Sequence, residues 1–118
     1  MVTVSVVVAL YNSERYIKEC IDSVLNQSLK EIELICVDDA STDSTPQILS
    51  EYAFRDSRVK IITLNENAGA QIARNAGVAI AQGEYIITID HDDWLGVDAL
   101  EKAVSEFYGR EDVNCVVL

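Results

Sequence analysis

The stretch YIITIDHDDW, residues 85–94, decides the fold because it joins an apolar, β-branched run to an acidic cluster. Residues 85–89 have the composition of a buried strand. Asp90, Asp92 and Asp93 then place three carboxylates within four positions. Carboxylates this close repel one another, so their place at the end of an apolar strand requires a physical reason.

The composition favours one compact domain. The chain has 118 residues, of which 49% are hydrophobic, with one proline and five glycines. This length allows a single domain with a sizeable core.

Twenty acidic and nine basic residues give a formal charge of −11. A negative field repels the phosphates of nucleic acids and anionic lipids, which argues against both as partners.

Cysteine usage and hydropathy predict a cytoplasmic protein. Cys20, Cys36 and Cys115 are odd in number and lie in apolar stretches, so they are predicted to be reduced core residues. The first residues lack a basic segment, which favours a strand over a signal peptide. No run approaches the roughly 18 apolar residues that would span a bilayer.

Five apolar runs alternate with segments of helical periodicity, the pattern of an α/β fold. Runs that are apolar throughout indicate parallel strands covered on both faces. Residues 1–118 are therefore predicted to form one domain, an open and mainly parallel sheet with helices on both faces. The predicted strands are residues 4–9, 32–37, 59–64, 85–89 and 113–118, and the helical stripes lie within residues 16–25, 48–53, 70–80 and 100–107.

Local signals place the helix boundaries. Asn12 or Ser13 is expected to cap the first helix, and Pro46 fits the first turn of the second. Gly77 lies inside the third helix at a cost of about 1 kcal/mol relative to alanine, which predicts close packing there. Gly109 is expected to end the fourth helix. Because the last run ends the chain with its far face uncovered, we expect a longer protein.

Polar residues follow each of the first four predicted strands. In open α/β sheets, ligands bind outside the carboxyl ends of the strands, so this edge is the candidate site. The connections at the opposite edge, residues 27–31 and 81–84, have the composition of ordinary solvated loops. The polar segments at the candidate edge are Leu10-Tyr11-Asn12, Asp38-Asp39, Asn65-Glu66-Asn67 and Asp90-His91-Asp92-Asp93.

The acidic cluster of residues 90–93 predicts a divalent cation, Mg²⁺ or Mn²⁺. A hard cation removes the repulsion between the carboxylates and leaves coordination positions for substrate phosphates. The alternative is that these aspartates cap a helix that begins near Gly96 or Asp98. One aspartate often does so, but three within four positions seldom do.

The other acidic residues of this edge have two interpretations. Thr42 or Asp43 would cap the second helix, a structural role. Asp38 and Asp39 come too early for that, so one of them could accept a hydrogen bond from a nucleotide. For Asp38 both interpretations are kept, whereas function is favoured for Asp39. Gly69 is expected to let the backbone approach a ligand closely.

Arg74 and the aromatic residues are ambiguous as well. Arg74 offers a fork for phosphate or carboxylate, or forms a salt bridge to an aspartate. Tyr11 could stack on a base or fill a pocket. His91 is a candidate ligand or acid, although solvent or a backbone carbonyl is favoured as its partner. Trp94 is expected to pack beneath its loop.

Four segments of the sequence, quoted at the end of this paragraph, occur in the same order as in the amino-terminal half of family 2 glycosyltransferases of the GT-A fold, which this chain closely resembles. The sequence contains no GxxxxGK[ST] phosphate-binding loop, no GxGxxG, no GxSxG and no Cys/His metal spacing. Their absence argues against a kinase, a dehydrogenase or a hydrolase. The resemblance covers essentially the whole chain and implies the Rossmann-like, nucleotide-sugar-binding half of the domain. The segments are VSVVVALYNSERY (residues 4–16), ELICVDDASTDST (33–45), NENAGAQIARNAG (65–77) and EYIITIDHDDW (84–94).

The resemblance implies binding roles for nine residues. The segment matching Leu10-Tyr11-Asn12 and the aspartate matching Asp39 line the pocket for the nucleotide base, usually uracil. The arginine matching Arg74 lies near the base and phosphates. In the DxD-type motif, Asp90 and His91 are expected on the nucleotide side, and Asp92 and Asp93 hold Mn²⁺ or Mg²⁺ on the diphosphate.

The resemblance also implies a reaction, the transfer of a sugar from a nucleotide-diphosphate donor, expected to be a UDP-sugar, to an acceptor hydroxyl in polysaccharide biosynthesis. The metal stabilises the departing diphosphate, and inversion is expected. The acceptor would be a saccharide or lipid-linked. The general base belongs to an acceptor half that residues 1–118 lack, so this chain should bind donor and metal without efficient transfer. Membrane association would come only from segments outside it.

Two departures from the family pattern and two rival functions remain. Ala9 stands where the family usually has proline, and His91 replaces a commoner small residue.

A non-catalytic nucleotide-binding or scaffold module is one alternative to the glycosyltransferase function. A Mg²⁺-binding receiver domain of two-component signalling is the other, but it needs an acidic pair after the first strand, where this chain has Tyr11 and Asn12.

Overall fold

The computed structural model describes residues 2–107 and 115–117, in which five strands alternate with four helices. Each predicted strand within these residues is present, with ends that differ by one or two positions. The strands are β1 (Val4–Leu10), β2 (Ile32–Asp38), β3 (Val59–Thr63), β4 (Tyr85–Asp90) and β5 (Cys115–Val117), and the helices are α1 (Ile17–Leu25), α2 (Thr45–Arg55), α3 (Ala70–Ile80) and α4 (Ala99–Phe107).

The five strands form one parallel sheet in the order β3-β2-β1-β4-β5. The chain moves outward from β1 to β3 and then crosses back to β4, so the order reverses between β1 and β4. This is the order of the doubly wound Rossmann fold, which confirms the predicted fold class. Receiver domains have the order 2-1-3-4-5, so the topology excludes that alternative.

Helices cover both faces of the sheet, which explains why the strands are apolar throughout. On β1, Val6 and Val8 face a core shared with α1, α2 and α4. Val7 points the other way and packs with Ala73 of α3. Successive residues of a strand point to opposite faces, so a strand buried on both sides carries no polar alternation.

Helix α3 lies very close to the sheet at Gly77. A Cβ atom built there would lie 2.5 Å from Val7 Cγ1 and 3.2 Å from Val37 Cγ2. The close packing predicted at this glycine is therefore confirmed. The bounds of α3 also match the predicted residues 70–80.

The start of α1 differs from the prediction. Tyr16 occupies the N-cap position and makes no capping hydrogen bond with its side chain. Ser13 contributes its backbone carbonyl, which accepts from the N–H groups of Tyr16 and Ile17 at 3.0 Å. The Ser13 hydroxyl is engaged by the backbone of Tyr11 instead. A side-chain cap from Asn12 or Ser13 was therefore the wrong expectation.

The start of α2 agrees in part with the prediction from the sequence. Pro46 lies in the first turn, as predicted. The carboxylate of Asp43 accepts hydrogen bonds from the N–H groups of Thr45 at 2.9 Å and Glu14 at 3.3 Å. Asp43 thus has a structural role at this helix start. Thr42 does not cap the helix, because Ser44 occupies the N-cap position and the Thr42 hydroxyl donates to Asn12 Oδ1 at 3.4 Å.

The connections at the amino edge of the sheet, residues 27–31 and 81–84, are exposed or half-buried as predicted, with the exception of Gln27. Gln27 is fully buried, and Glu33 of β2 is 1% exposed. The Glu33 carboxylate accepts from Ser5 Oγ, from Lys60 Nζ at 2.7 Å and from the N–H of Gln82 at 2.6 Å. The prediction failed at Gln27 because polar composition alone does not show that a side chain is enclosed by distant elements.

Some predictions lie outside the described residues. The helix end at Gly109 and the outer residues of the last predicted strand are among them, as is the side chain of Cys115. Cys20 and Cys36 are buried and unpaired, as expected. Within the described ranges, no helix has both the length and the apolarity needed to cross a membrane.

Candidate functional site

The register of the sheet brings the polar strand ends together. Leu10 at the end of β1 pairs with Asp38 of β2, and Ala9 pairs with Asp90 of β4. The loops that follow β1, β2 and β4 therefore leave the sheet side by side. This position is the topological switch point, where doubly wound sheets open a crevice for ligands.

The three aspartates after β4 form a cluster. Asp90, Asp92 and Asp93 are exposed, and each offers a carboxylate oxygen within 4.8 Å of the others. Arg74 Nη2 binds Asp90 Oδ1 at 2.9 Å, which relieves part of the repulsion. The salt bridge proposed for Arg74 is thus observed, and it places the Arg74 guanidinium beside the acidic cluster.

The turn that carries the cluster is held by its own backbone. The N–H of Asp93 donates to the carbonyl of Asp90 at 3.0 Å, and the N–H of Asp90 donates to Asp93 Oδ2 at 3.2 Å. In the described part of the chain, Asp92 makes no hydrogen bond or ion pair through its carboxylate. Asp92 is therefore the carboxylate most available to an added cation.

The acidic cluster lies above a buried thiol. Cys20 Sγ is 3.9 Å from the carbonyl oxygen of Asp90. Burial raises the pKa of Cys20 to about 12, and the negative charges of Asp93 and Asp92 add to the effect. Cys20 therefore remains a neutral thiol and acts as a packing residue below the cluster.

The three aspartates do not cap α4. The N–H of Ala99, at the start of that helix, donates to the carbonyl of Gly96 at 3.0 Å. The next N–H, from Leu100, donates to Gln27 Oε1 at 3.0 Å. The capping interpretation of the cluster is wrong, since other groups satisfy the helix start.

A cavity of about 250 Å³ opens beside the cluster. It is concave and mostly apolar with a few polar groups, as small-molecule sites generally are. Leu10, Tyr11, Asp39 and His91, all predicted at the site, contribute to its wall. The lining residues are Ala9, Leu10, Tyr11, Asp39, Ala70 and His91.

Asp39 lines this cavity but also holds the loop before α3. It is 3% exposed, and its two oxygens accept from the N–H groups of Ala68 at 2.8 Å and Gly69 at 2.9 Å. Each carboxylate oxygen has a second lone pair and can accept a further hydrogen bond. The sequence showed no signal for the structural role, because the partners lie about 30 positions further along.

Two other predicted residues are engaged in loop structure. Asn12 has φ 48° and accepts from the N–H of Thr42 through Oδ1, so its side chain links the loops after β1 and β2. Asp38 is buried and accepts from the N–H of Ser41 at 3.1 Å. Of the two interpretations of Asp38, the structure shows a turn-stabilising contact.

Gly69 has a conformational reason that the sequence analysis did not predict, while the close approach of a ligand stays a prediction. A Cβ there would meet nothing within 4 Å, so close approach of neighbouring atoms is not the constraint. Its φ of +96° is the constraint, since side-chain-bearing residues rarely adopt this conformation. The glycine turns the chain into α3 and presents its N–H to Asp39.

Trp94 differs from expectation, and for His91, expected to contact solvent or a backbone carbonyl, no carbonyl contact is seen in the described residues. Trp94 is 64% exposed, so it does not pack beneath the loop. The His91 ring lies edge-on to Tyr16, with centroids 5.9 Å apart. Its Nδ1 is buried without a hydrogen-bond partner among the described residues, so the expected backbone carbonyl is not there.

The fold and the site together define a doubly wound α/β protein with a carboxylate cluster and a cavity at its switch point. The chain belongs to glycosyltransferase family 2, since the sequence model of that family, Glycosyl transferase family 2, matches residues 5–118. The resemblance and the enzyme family predicted from the four segments are confirmed.

Similar proteins support this membership. Poly(ribitol-phosphate) beta-glucosyltransferase of Bacillus spizizenii is 45% identical over 100 residues, which are 82% of this chain and 16% of that enzyme. The crystal structure of S. aureus TarS 1-349 in complex with UDP superposes with a TM-score of 0.82 at 35% identity, covering 89% of this chain and 32% of that one.

A second solved enzyme shows the same fold. Mannosyltransferase PcManGT from Pyrobaculum calidifontis, in complex with GDP-Man and Mn²⁺, superposes with a TM-score of 0.83 at 29% identity and covers 91% of this chain and 32% of that one. The chain thus spans about a third of these solved proteins and 28% and 38% of two further bacterial glycosyltransferases.

Proposed function

We propose that this chain binds the nucleotide-diphosphate part of a sugar donor, a UDP-sugar, together with Mn²⁺ or Mg²⁺. The whole protein would transfer the sugar to an acceptor hydroxyl with inversion. One observation carries the proposal: a three-carboxylate cluster and a mostly apolar cavity meet at the switch point of the sheet. The solved relatives with UDP and with GDP-Man and Mn²⁺ support it.

The carboxylate cluster fits a hard divalent cation. Its donor atoms are all oxygens, they lie within 4.8 Å of one another, and they are exposed to an incoming substrate. Mg²⁺ and Mn²⁺ prefer such ligands and keep positions free for phosphate oxygens. Asp92 and Asp93 would hold the ion, and Asp90, already paired with Arg74, would face the nucleotide.

The cavity residues would hold the nucleoside. Tyr11 is 46% exposed at the cavity wall, so its ring is available for stacking on a planar base. Leu10 supplies apolar surface, and Asp39 retains a free lone pair for a base or ribose group. Asn12 would act by fixing the loop that carries Tyr11.

The charge of the site explains why a cation is needed. Three carboxylates near a diphosphate would repel it, and Arg74 supplies a single compensating charge. A bound divalent cation would reverse the local potential and stabilise the charge that develops on the departing diphosphate. The chain's own residues orient the donor, while the base that activates the acceptor would lie outside residues 1–118.

The proposal is tested by titrating UDP into the chain with and without Mn²⁺, for the wild type and for Asp92→Asn. We expect Mn²⁺ to strengthen UDP binding to the wild type and the variant to lose about ten- to hundredfold of that affinity, the range seen when a metal site loses a supporting group. Calorimetry measures both.

Asp98→Asn is the matched control, because Asp98 is a partly exposed carboxylate whose ion-pair partner within the described residues is Lys102. It should leave UDP binding unchanged. Equal metal-dependent affinity in Asp92→Asn and wild type would contradict the metal role. An absence of UDP affinity in every protein would instead favour a scaffold module.

A further inference from the structure

Trp94 is an exposed aromatic residue that directly follows the acidic cluster in the chain. Its side chain belongs to a residue that is 64% exposed, and Val97, three positions further on, is 65% exposed. Among the described residues, the Trp94 indole stacks on no other ring and makes no hydrogen bond. An apolar surface next to the proposed metal ligands is therefore open to a binding partner.

The loop that carries Trp94 is anchored, so the exposure does not come from a loose segment. Leu95 packs against the main core, and its N–H donates to Ser23 Oγ at 3.0 Å. The carbonyl of Gly96 accepts from Gln27 Nε2 at 2.5 Å. Because the loop is held from below on both of these residues, the fold fixes the indole in an outward position.

The order of residues along this turn matches the order of groups in a nucleotide-sugar. His91 lines the cavity proposed for the nucleoside, whereas Trp94 does not. Asp92 and Asp93, the proposed metal ligands, lie between them in the chain. A nucleotide-sugar likewise has its nucleoside first, then the diphosphate with its metal, then the sugar. Aligning the two orders places a sugar ring next to Trp94.

The chemistry of this surface also matches a sugar. A pyranose ring has a face of C–H bonds, whose slightly positive hydrogens pack against the negative face of an aromatic ring. Its hydroxyl groups need hydrogen-bond acceptors, and the exposed carboxylates of Asp92 and Asp93 are acceptors. An anionic partner would be repelled by these carboxylates, and a wholly apolar partner would remove them from water without compensation. A neutral ring with hydroxyl groups avoids both costs.

We propose that Trp94 stacks on a pyranose ring beside the proposed metal ligands. This inference rests on the proposed function, and it adds to the nucleotide site a sugar-binding surface and the residue that forms it. The ring belongs either to the sugar of the donor or to a saccharide acceptor that meets it. Both offer the same face to the indole, so the experiment has one arm for each.

Fluorescence of the wild-type chain is the first test. Trp94 is the only tryptophan of the chain, so the emission reports on this position alone. With Mg²⁺ present, we expect UDP to leave the emission nearly unchanged. In the donor arm, UDP-glucose, UDP-galactose or UDP-N-acetylglucosamine should shift the emission to shorter wavelength, because stacking removes water from the indole. In the acceptor arm, the methyl glycosides of the same sugars are added together with UDP and Mg²⁺.

A shift in the donor arm assigns the ring to the donor, and a shift in the acceptor arm alone assigns it to the acceptor. An emission that changes in neither arm, although UDP binds, would overturn the inference. That result would mean that Trp94 is a contact for another part of the protein.

Calorimetry on two variants measures the contribution of the indole. We expect Trp94→Ala to bind UDP like wild type but to bind the sugar-bearing ligand identified by fluorescence about three- to tenfold more weakly, the value of one aromatic contact. Trp94→Phe keeps an aromatic ring and should recover part of this loss.

Phe54→Ala is the matched control. Phe54 is 93% exposed and lies near the end of α2 that leads into β3, so its loss should change neither affinity. Equal affinity of wild type and Trp94→Ala for the sugar-bearing ligand would overturn the inference and leave nucleotide binding intact. If wild type binds no UDP in calorimetry, the proposed function fails and this inference fails with it.

Discussion

At the scale of single residues, Gly77 shows how one missing side chain sets the distance between a helix and the sheet. Gly77→Ala would place a methyl group 2.5 Å from Val7 Cγ1, so neighbouring atoms must move. Overpacking of this kind costs about 1–3 kcal/mol, and better helix propensity returns about 1 kcal/mol. We expect a net loss of up to about 2 kcal/mol in the free energy of unfolding, measured with urea.

Gly96→Ala is the control for that experiment. A Cβ at Gly96 meets nothing within 4 Å, and the backbone there is not in the left-handed region. Its unfolding free energy should stay within about 0.5 kcal/mol of wild type. A Gly77→Ala variant as stable as the wild type would show that α3 can move away from the sheet at little cost.

Individual site residues were predictable to the extent that their neighbours in sequence define them. The acidic cluster is local, and the sequence alone indicated Asp90, Asp92 and Asp93 as a group. Asp39 was predicted at the cavity but not as the acceptor of two backbone N–H groups. That second role depends on where the loop before α3 lies, which no local pattern encodes.

At the scale of secondary-structure elements, Gln27 fastens the end of α1 to the start of α4. Its Nε2 donates to the carbonyls of Ser23 and Gly96, and its Oε1 accepts from the N–H of Leu100. The contact fixes the segment that follows the acidic cluster. A side chain that the sequence assigned to a solvated loop is thus a buried connection between two helices.

Gln27→Ala should destabilise the chain. It leaves the N–H of Leu100 without its acceptor, and a buried unsatisfied group costs about 1–3 kcal/mol. We expect a lower unfolding free energy and faster hydrogen exchange at the Leu100 amide. The exposed Gln47 on α2 provides the control, because Gln47→Ala should change neither quantity.

Unchanged exchange at Leu100 in Gln27→Ala would contradict the connection, whatever the change in global stability. The exchange measurement separates a local effect at α4 from a general loss of packing.

The existence of these helices was predictable from the sequence because periodicity is local. The way the helices are joined was not, since Gln27 and Leu100 are 73 positions apart.

At the scale of the whole molecule, Glu33 ties three strands and a loop together at the amino edge, opposite the proposed site. Burial by itself would raise the pKa of Glu33, but hydrogen bonds from Lys60, Ser5 and the Gln82 N–H outweigh it and hold the pKa below its ordinary value. A depressed pKa means that the folded state binds the proton less readily than the unfolded state. The carboxylate therefore stabilises the fold above the ordinary glutamate pKa of about 4.3.

This stabilisation should disappear in acid. We expect wild type to exceed Glu33→Gln in unfolding free energy at pH 7, and the difference to shrink as the pH falls below about 4, through the lowered pKa of the folded state. Denaturant unfolding at pH 7 and pH 3 measures it. Glu84→Gln, at an exposed position, should show no such difference. An equal gap between wild type and Glu33→Gln at both pH values would contradict the ionic role.

The sequence by itself determined the alternation of strands and helices, the parallel sheet and the group of aspartates after β4. Each of these is written in residues that are close together in the chain, where periodicity and strand ends can be read directly. Only the tertiary structure decided that Gln27 and Glu33 are buried, that Trp94 is exposed and that one nitrogen of His91 is enclosed. Burial and hydrogen bonding depend on which distant elements become neighbours, and that is decided only when the strands and helices pack against one another.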